Sequence, residues 1–536
     1  MSRSAWLVLF MLVAPFASAG DWPQWRGPNR NGSAEASPKL ADAWPKEGLK
    51  PVWKSAPIPS GQAGGLGSVV VADGKAFVCV NWKVPNDRRI FPADALNRFG
   101  WNADLPDELA QKLEAARLSE KRAKLQGEEL NKYIKEFIAA NLETPGAPPP
   151  GQQTLVQRFS GCVQSRLKQG PDALTWEALA KLGGLRDMEF TNAAECDKLL
   201  TELGLPEPAR KQALDTLVTV KTPIITDTVI CLDAATGKEV WKREFPGRGC
   251  DWGCSATPTI VDGKCFVAAS NARFYCLSAK DGALVWIAAT KNGGRVASSA
   301  LAAGNAVFVL GGELLAFNKE NGRLLWCQPK VKATENSPVL WTSDGKNYLI
   351  CNTQDKVFCV EPEKGDVLWQ ADGGGCATAT ISGDTLVVYC ERGLLAYTLT
   401  PQAAQPLWAK KEWHDRGASA LIYQDCVYIV GGRIGCLDLK TGGVKWEQKA
   451  GGEITSPILV DGKIISGIEN CAWTVMFKAA PEKYEELGRA KLEQLTCSSP
   501  AAAGGRLYVR LNDGVGCFDL VTMPTPPVPP AAPPAK

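Results

Sequence analysis

From residue 223 to residue 520 the chain alternates short apolar runs with turn residues at a nearly constant interval. One unit opens on a turn, often Asp-Gly, and runs into a strand with apolar side chains at alternate positions. Clear copies are Asp73-Gly74-Lys-Ala-Phe-Val-Cys79, Asp262-Gly263-Lys-Cys-Phe-Val267 and Asp461-Gly462-Lys-Ile-Ile465. Weaker copies stand at Gly304, Gly345, Gly383, Asp425 and Gly504, and the spacings from Gly263 onward are 41, 41, 38, 42, 37 and 42. Further along each unit a second pattern recurs, with Gly four residues before Trp: Gly237/Trp241, Gly282/Trp286, Gly322/Trp326, Gly365/Trp369 and Gly442/Trp446. Trp408 ends a variant without the Gly, and Leu487 stands where another Trp is expected.

A period of about 40 residues with two turn signals per unit predicts a small antiparallel sheet in each repeat. Gly supplies the positive φ of tight turns, and Val, Ile, Tyr and Phe suit a pleated surface. The recurring Trp would bury ~150–250 Å² each time, roughly 4–6 kcal/mol gross at ~25 cal/mol/Å². At a fixed register it reads as packing between neighbouring sheets: Trp53, Trp241, Trp286, Trp326, Trp369, Trp408 and Trp446 form this set. The last unit, Leu507–Leu511 and Val515–Leu520, lacks a Trp-bearing outer strand, and the N-terminal run Leu49-Lys-Pro-Val-Trp53-Lys supplies one. The predicted fold is therefore all-β, an eight-bladed β-propeller with one blade composed of both ends of the repeat region.

The period breaks once. Gly74 and Gly263 are 189 residues apart where about 41 are expected. The extra segment, residues 82–222, reads as helical: Leu105, Leu109 and Leu113 follow a four-residue step, as do Leu130, Ile134 and Ile138. Pro106 suits a helix start, and Pro145-Gly-Ala-Pro-Pro-Pro150 divides the segment. Further helices are expected near 152–168, 172–182, 192–203 and 207–218. A cap on the rim and a lid or partner-binding module are both compatible with this pattern. The resulting organisation is 20–81 for the N-terminal segment, closing strand and start of the first blade, 82–222 for the insertion, 223–521 for the other blades, and 522–536 for a Pro-rich extended tail.

The first residues have the form of a leader. Arg3 precedes the apolar run Ala5–Phe16, and Ala17-Ser18-Ala19 forms an A-x-A cleavage site. Twelve apolar residues span about 18 Å as a helix, short of a ~30 Å bilayer core. The expectation is a signal peptide at 1–19, cleavage after Ala19, a periplasmic or secreted product and no transmembrane span. A formal net charge of +3 over 536 residues argues against nucleic acid as the main partner.

Candidate chemistry is sparse. The chain has one His, His414, which excludes multi-His metal sites and any His-dependent hydrolase centred elsewhere. No catalytic and no metal-ligating residue is assigned. Of the 18 Cys, many fall at two repeated strand positions, where a small apolar side chain packs well. Cys351/Cys359 and Cys426/Cys436 are candidate hairpin disulfides, and Cys250-Asp-Trp-Gly-Cys254 is open to a disulfide loop, free thiols or, on a weak signal, a metal. Loops entering the innermost strands surround one mouth of a propeller channel. There they carry Asp251, Trp252, Arg295, Glu335, Asn336, Asp415, Arg416, Glu453 and Gln494, either ordinary solvated loop residues or a ligand site.

The Asp-Ala-x-Thr-Gly-x-x-x-Trp pattern, clearest at Asp233–Trp241 and Asp438–Trp446, resembles the pyrroloquinoline-quinone-like repeat family, as does the opening Asp21-Trp-Pro-Gln-Trp-Arg-Gly-Pro-Asn-Arg-Asn-Gly32. The resemblance covers about 21–81 and 223–520. It implies one of two activities. Quinoprotein dehydrogenases hold the quinone and Ca²⁺ in the propeller, with a vicinal Cys-Cys pair that this chain lacks. Non-enzymatic members bind other proteins through loops and faces. The reading adopted from this resemblance is an exported, non-catalytic binding or scaffold protein of the cell envelope with a protein or carbohydrate partner. It carries no cofactor; pyrroloquinoline quinone and Ca²⁺ enter only under the alternative of a divergent alcohol or sugar dehydrogenase.

Overall fold

The computed structural model describes residues 20–90, 93–102, 104–143, 153–183, 189–190, 192–249, 255–290, 297–452 and 455–521. Two compact units emerge, one of Met1–Lys83 with Ile225–Lys536 and one of Val84–Ile224. Among the described residues the first unit contains eight four-stranded sheets, each an antiparallel meander of short strands. They are numbered here in chain order: sheet 1 combines Val70–Ala72 and Lys75–Val84 with Ile224–Asp233 and Glu239–Pro246. Sheets 2 to 7 are continuous, spanning 259–289, 301–328, 339–372, 380–410, 421–449 and 458–490. Sheet 8 takes three strands from 501–519 and its outer strand, Pro51–Lys54, from the N-terminal segment, with Trp53 opposite Cys517.

The repeat motif has a shared mechanical meaning. The indole N–H of each repeat Trp reaches a backbone carbonyl of the following sheet: Trp241 to Ala279 at 3.3 Å, Trp286 to Lys319 at 3.1 Å, Trp326 to Pro362 at 3.0 Å, Trp369 to Thr400 at 3.0 Å, Trp408 to Leu439 at 2.8 Å and Trp446 to Ala480 at 2.9 Å. Trp53 closes the series on Ala234 of sheet 1 at 3.1 Å. The Gly four residues before a Trp does not serve that Trp. It receives the indole of the preceding sheet: Gly237 faces Trp53, Gly282 faces Trp241, Gly322 faces Trp286, Gly365 faces Trp326 and Gly442 faces Trp408. All five have φ between +66° and +80°, and a Cβ on any of them would meet an indole carbon at 2.7 Å or less. Glycine is thus required twice over, by the turn and by the neighbour.

The cysteine column follows from the same packing. Directly across the strand pair from each Trp stands a small residue: Cys231, Cys276, Ala316, Cys359, Ala396, Cys436 and Cys517 oppose Trp241, Trp286, Trp326, Trp369, Trp408, Trp446 and Trp53. A larger side chain there would compete with the indole for one volume. Sheet 7 inverts the arrangement. Its outer strand has Gly488 opposite Met476, and Trp44 of the N-terminal segment lies over Gly488. The register thus puts Gly488, and not Leu487 as the repeat spacing suggested, in the place of the Trp, and a tryptophan from elsewhere in the chain covers it.

Neither hairpin disulfide is formed: Cys351, Cys359, Cys426 and Cys436 are free, buried thiols. Register explains the first case. Cys359 pairs with Ile350 and Cys351 with Phe358, so the two sulfurs leave opposite faces of the hairpin. Cys426 and Cys436 share a face but sit diagonally, across from Asp438 and Tyr428, and their thiols hydrogen-bond instead. Cys250 and Cys254 lie outside the described residues.

The second unit is helical with one small sheet. Helices run over Ala93–Arg98, Asp107–Arg117, Glu120–Ala123, Gly127–Leu142, Leu155–Lys168, Trp176–Gly183, Ala193–Glu202 and Glu207–Leu214. The strands Asp87–Ile90, Glu189–Phe190 and Val218–Lys221 make a three-stranded sheet that helical periodicity did not suggest. Where a helix was expected to reach 218, it ends at Leu214 and Val218 begins a strand. Its two apolar clusters meet at Glu114, which accepts from Arg166 at 2.5 and 2.7 Å and from Arg117 at 3.0 and 2.8 Å. Burial raises the Glu114 carboxyl, and the two guanidinium groups outweigh that and hold it below the usual range.

Two outcomes are expected. Trp286→Ala and Trp53→Ala should each cost about 3–5 kcal/mol, and Gly322→Ala about 1–3 kcal/mol by overpacking, read from urea unfolding midpoints. A Trp53→Ala change within about 0.5 kcal/mol of wild type would show that the N-terminal strand locks nothing. Burial pushes the thiols of Cys231, Cys276, Cys359 and Cys436 up to about 12, and Cys517 to about 11. These five should resist iodoacetamide at pH ~8 in the native protein and react once it is denatured, as mapped by mass spectrometry.

Candidate functional site

The innermost strand of every sheet is preceded, two residues upstream, by a buried Ser or Thr: Ser68, Thr257, Ser299, Ser337, Thr378, Ser419, Ser456 and Ser499. Each hydroxyl oxygen that takes part accepts the backbone N–H of the equivalent residue one sheet earlier. Ser68 donates to Thr257, Thr257 to Ser299, Ser299 to Ser337, Ser337 to Thr378, Thr378 to Ser419 and Ser419 to Ser456, at 2.9–3.2 Å. Ser499 of the last sheet donates to Ser68 of the first at 2.8 Å. These bonds satisfy N–H groups that lie too early in the strand for the sheet ladder.

The N-terminal segment runs inside this belt. Trp22 pairs with Val71 of sheet 1, the Pro23 carbonyl accepts from Ile260 of sheet 2, and Gly32 and Ala34 bond to Leu459 of sheet 7. Two arginines complete the attachment. Arg30 donates from Nη1 to the carbonyls of Ser299 at 2.9 Å and Pro338 at 3.2 Å, and from Nη2 to Ala300; Gln24 holds its Nε at 2.8 Å. Arg26 donates from Nη2 to Asn31 at 3.0 Å and to the Ala420 carbonyl of sheet 6 at 2.5 Å. Both side chains are 1% exposed, and carbonyl dipoles rather than carboxylates surround them. Burial pulls both guanidinium groups down to about 9, so they stay charged at neutral pH. The thirteen residues Trp22–Ala34 thereby tie six sheets together, sheets 1, 2, 3, 4, 6 and 7.

Above the segment lies a cavity of about 360 Å³. Trp25 is part of its wall, together with Ser68, Thr257, Ser299, Ser337 and Ser456 of the belt and with Glu335, Asp415 and Arg416. Three of the nine residues expected at the channel mouth are thus brought together here. Two others are frame. Asn336 is fully buried and donates to the carbonyls of Gly375 at 2.9 Å and Ala377 at 3.0 Å. Gln494 is 2% exposed, donates to Ser498 at 2.9 Å and accepts from Thr474 at 3.0 Å. Asp251, Trp252, Arg295 and Glu453 lie outside the described residues. Asp415 has a double role, because its Oδ1 accepts the N–H groups of Gly417 and Ala418, both at 2.8 Å, and so shapes the loop that carries it. Cys376 places its sulfur 2.5 Å from Glu335 Oε2.

The mouth residues missed by sequence reasoning are the hydroxyl belt and Trp25. The belt has a signal in the sequence, a Ser or Thr recurring about one repeat apart, which the turns and tryptophans outweigh. Trp25 carries only the resemblance of its segment, because nothing local shows where that segment runs.

In its four-stranded repeat, whose Trp bridges to the next sheet, the chain is similar to the pyrroloquinoline-quinone-like repeat proteins. Within that class, the family model described as Outer membrane protein assembly factor BamB matches residues 213–389 and 312–421. A BamB of Moranella endobia (strain PCIT) is 25% identical over 264 residues, which cover 45% of this chain and 67% of that protein. Among solved structures, BamB from Moraxella catarrhalis is similar with a TM-score of 0.45 and 17% identity, covering 55% of this chain and 88% of that one. A quinohemoprotein alcohol dehydrogenase from Comamonas testosteroni gives 0.44 and 13%, covering 58% and 75%.

Arg30→Met should destabilise the first unit by about 3–5 kcal/mol, because it removes the Arg30 donors from the carbonyls of Ser299 and Pro338, whereas the Ala300 carbonyl keeps the Thr259 hydroxyl at 2.6 Å. Arg30→Lys should recover little, since a single ammonium cannot span the same set. Equal urea midpoints for Arg30→Met and wild type would remove the segment from the frame.

Proposed function

We propose that this chain is an exported, non-catalytic binding scaffold of the cell envelope, built as an eight-bladed β-propeller. The sheet-to-sheet tryptophan contacts, the return of Trp53 to sheet 1 and the bond from Ser499 to Ser68 support the propeller reading. The description of the matching family supports the envelope reading.

One observation carries the non-catalytic reading: the belt hydroxyl oxygens, Asn336, Gln494 and one oxygen of Asp415 are committed to the frame. The belt oxygens accept neighbouring N–H groups, Asn336 and Gln494 tie loops, and Asp415 caps its own turn. A quinone with Ca²⁺ would need six to eight oxygen ligands at about 2.3–2.6 Å around the ion. Asn336 Oδ1 is sealed from the cavity, Asp415 Oδ1 is taken, and among the described residues no three His, Cys, Asp or Glu side chains gather as a metal group. These residues do not fit that group. No helix among the described residues is long and apolar enough to cross a membrane. The envelope partner, protein or carbohydrate, meets the scaffold at the channel mouth.

Purified protein incubated with pyrroloquinoline quinone and Ca²⁺ should acquire no quinone absorption and oxidise no alcohol with an artificial dye. The same protein, immobilised, should retain a defined partner from envelope extract. Tight Ca²⁺-dependent quinone uptake with dye-linked oxidation would overturn the scaffold reading.

A further inference from the structure

The axial cavity contains an aromatic floor, a belt of hydroxyl donors and a charged rim, and we infer that it is a saccharide site whose stacking platform is Trp25. This rests on the scaffold reading and specifies what the mouth recognises.

The floor comes first. Trp25 is half-buried and lines the cavity, while the fully buried Arg26 guanidinium lies 5.8 Å from its ring centroid. One side of the indole is therefore packed within the protein, and its remaining surface belongs to the cavity. An indole floor takes a ring with a flat apolar face. The belt decides which kind of ring. In Ser68, Thr257, Ser299, Ser337 and Ser456 the Oγ accepts a backbone N–H, and among the described residues no acceptor takes the hydroxyl hydrogen, which can donate into the cavity. All five line the cavity at 2–4% exposure. A purely apolar aromatic ligand would leave those donors unpaired. An anion would meet Glu335 and Asp415 on the rim, and a cation would meet Arg416 there with Arg26 and Arg30 behind the floor. A saccharide ring satisfies all three conditions. Its C–H face covers the indole, its oxygens accept from the belt, and its hydroxyls donate to the rim carboxylates. A volume of about 360 Å³ is at the small end of ligand pockets, ~300–1,000 Å³, and suits one or two sugar rings.

The ring can be a free sugar or the end of an envelope glycan. Titration of the full chain with glucose, N-acetylglucosamine, cellobiose and chitotetraose, followed by calorimetry and tryptophan fluorescence, separates the two. Saturable binding of at least one probe with Kd of about 1 mM or tighter is expected. Tighter binding of the tetrasaccharide than of its monosaccharide assigns a glycan end, and equal binding assigns a free sugar. Trp25→Ala should weaken binding about tenfold or more, and Trp25→Phe, which keeps a flat floor, about threefold or less. The absence of saturation with every probe up to ~20 mM overturns the inference. So does binding that Trp25→Ala and Trp25→Phe leave equal to wild type. If sugars fail while an envelope partner is still retained, the saccharide site falls and the scaffold stands; Ca²⁺-dependent quinone uptake removes the scaffold itself.

Discussion

The contact on which this structure depends is an indole laid across a sheet boundary. Each repeat Trp belongs to the outer strand of its own sheet but donates its N–H to, and packs its ring on, the turn of the next. That single contact dictates three sequence features at once. The receiving turn must be glycine where the ring lies closest, the residue across the strand pair must be small, and the spacing between Trp and the next Gly must match one repeat. An edge strand would otherwise expose its backbone and apolar face to solvent. Here the outer strands still show apolar side chains, such as Val285 and Leu324 at 46% and 47% exposure, but the tryptophans between them are shielded.

Inside the sheets a different interaction takes over. Packing fixes the distance between neighbouring sheets, whereas the axis is held by hydrogen bonds that pass from one innermost strand to the next. The N-terminal segment adds what a hydroxyl belt lacks, a central body. Two guanidinium groups buried without carboxylates would ordinarily be costly. They are tolerated because the carbonyls at the start of each innermost strand point inward, and several of them need donors. Arg30 and Arg26 Nη2 find acceptors there, and the Ala300 and Ala420 carbonyls take a second donor from Thr259 and Thr380.

Much of the fold was legible because its signals are local and repeated. Turn glycines, alternating strands and the Trp register recur within a few residues of one another, and even the pairing of Trp53 with the last strand follows from what the final repeat lacks. The disulfide pairs failed on register: Cys351 stands one residue from the partner of Cys359 and so on the opposite face, Cys426 stands two residues from the partner of Cys436 and so diagonally, and spacing along the chain does not report register. The cysteines are explained by the indole opposite them instead. The cavity was legible only in part. Glu335, Asp415 and Arg416 followed from their place before an innermost strand, but Asn336 and Gln494 occupy similar places and are buried as ties. Whether a polar loop residue faces solvent or its neighbour's carbonyl depends on contacts about 40 residues away. Arg30 is the extreme case, with partners 269 and 308 residues along the chain.

The separation of frame from surface bears on what the mouth can evolve to bind. Seven of the belt residues use their oxygen to hold the preceding sheet, so none of these can be exchanged for a general acid or base without loosening that link. Five of them, Ser68, Thr257, Ser299, Ser337 and Ser456, line the cavity, and the positions of their hydroxyls are fixed by the sheets themselves. Specificity then falls to the few groups the frame does not need: the outward surface of Trp25, the Asp415 oxygen not engaged in its turn, and the Arg416 side chain. Such a site favours recognition of a ligand with many hydroxyl groups over chemistry on it, since the atoms best placed to react are the ones already holding the fold.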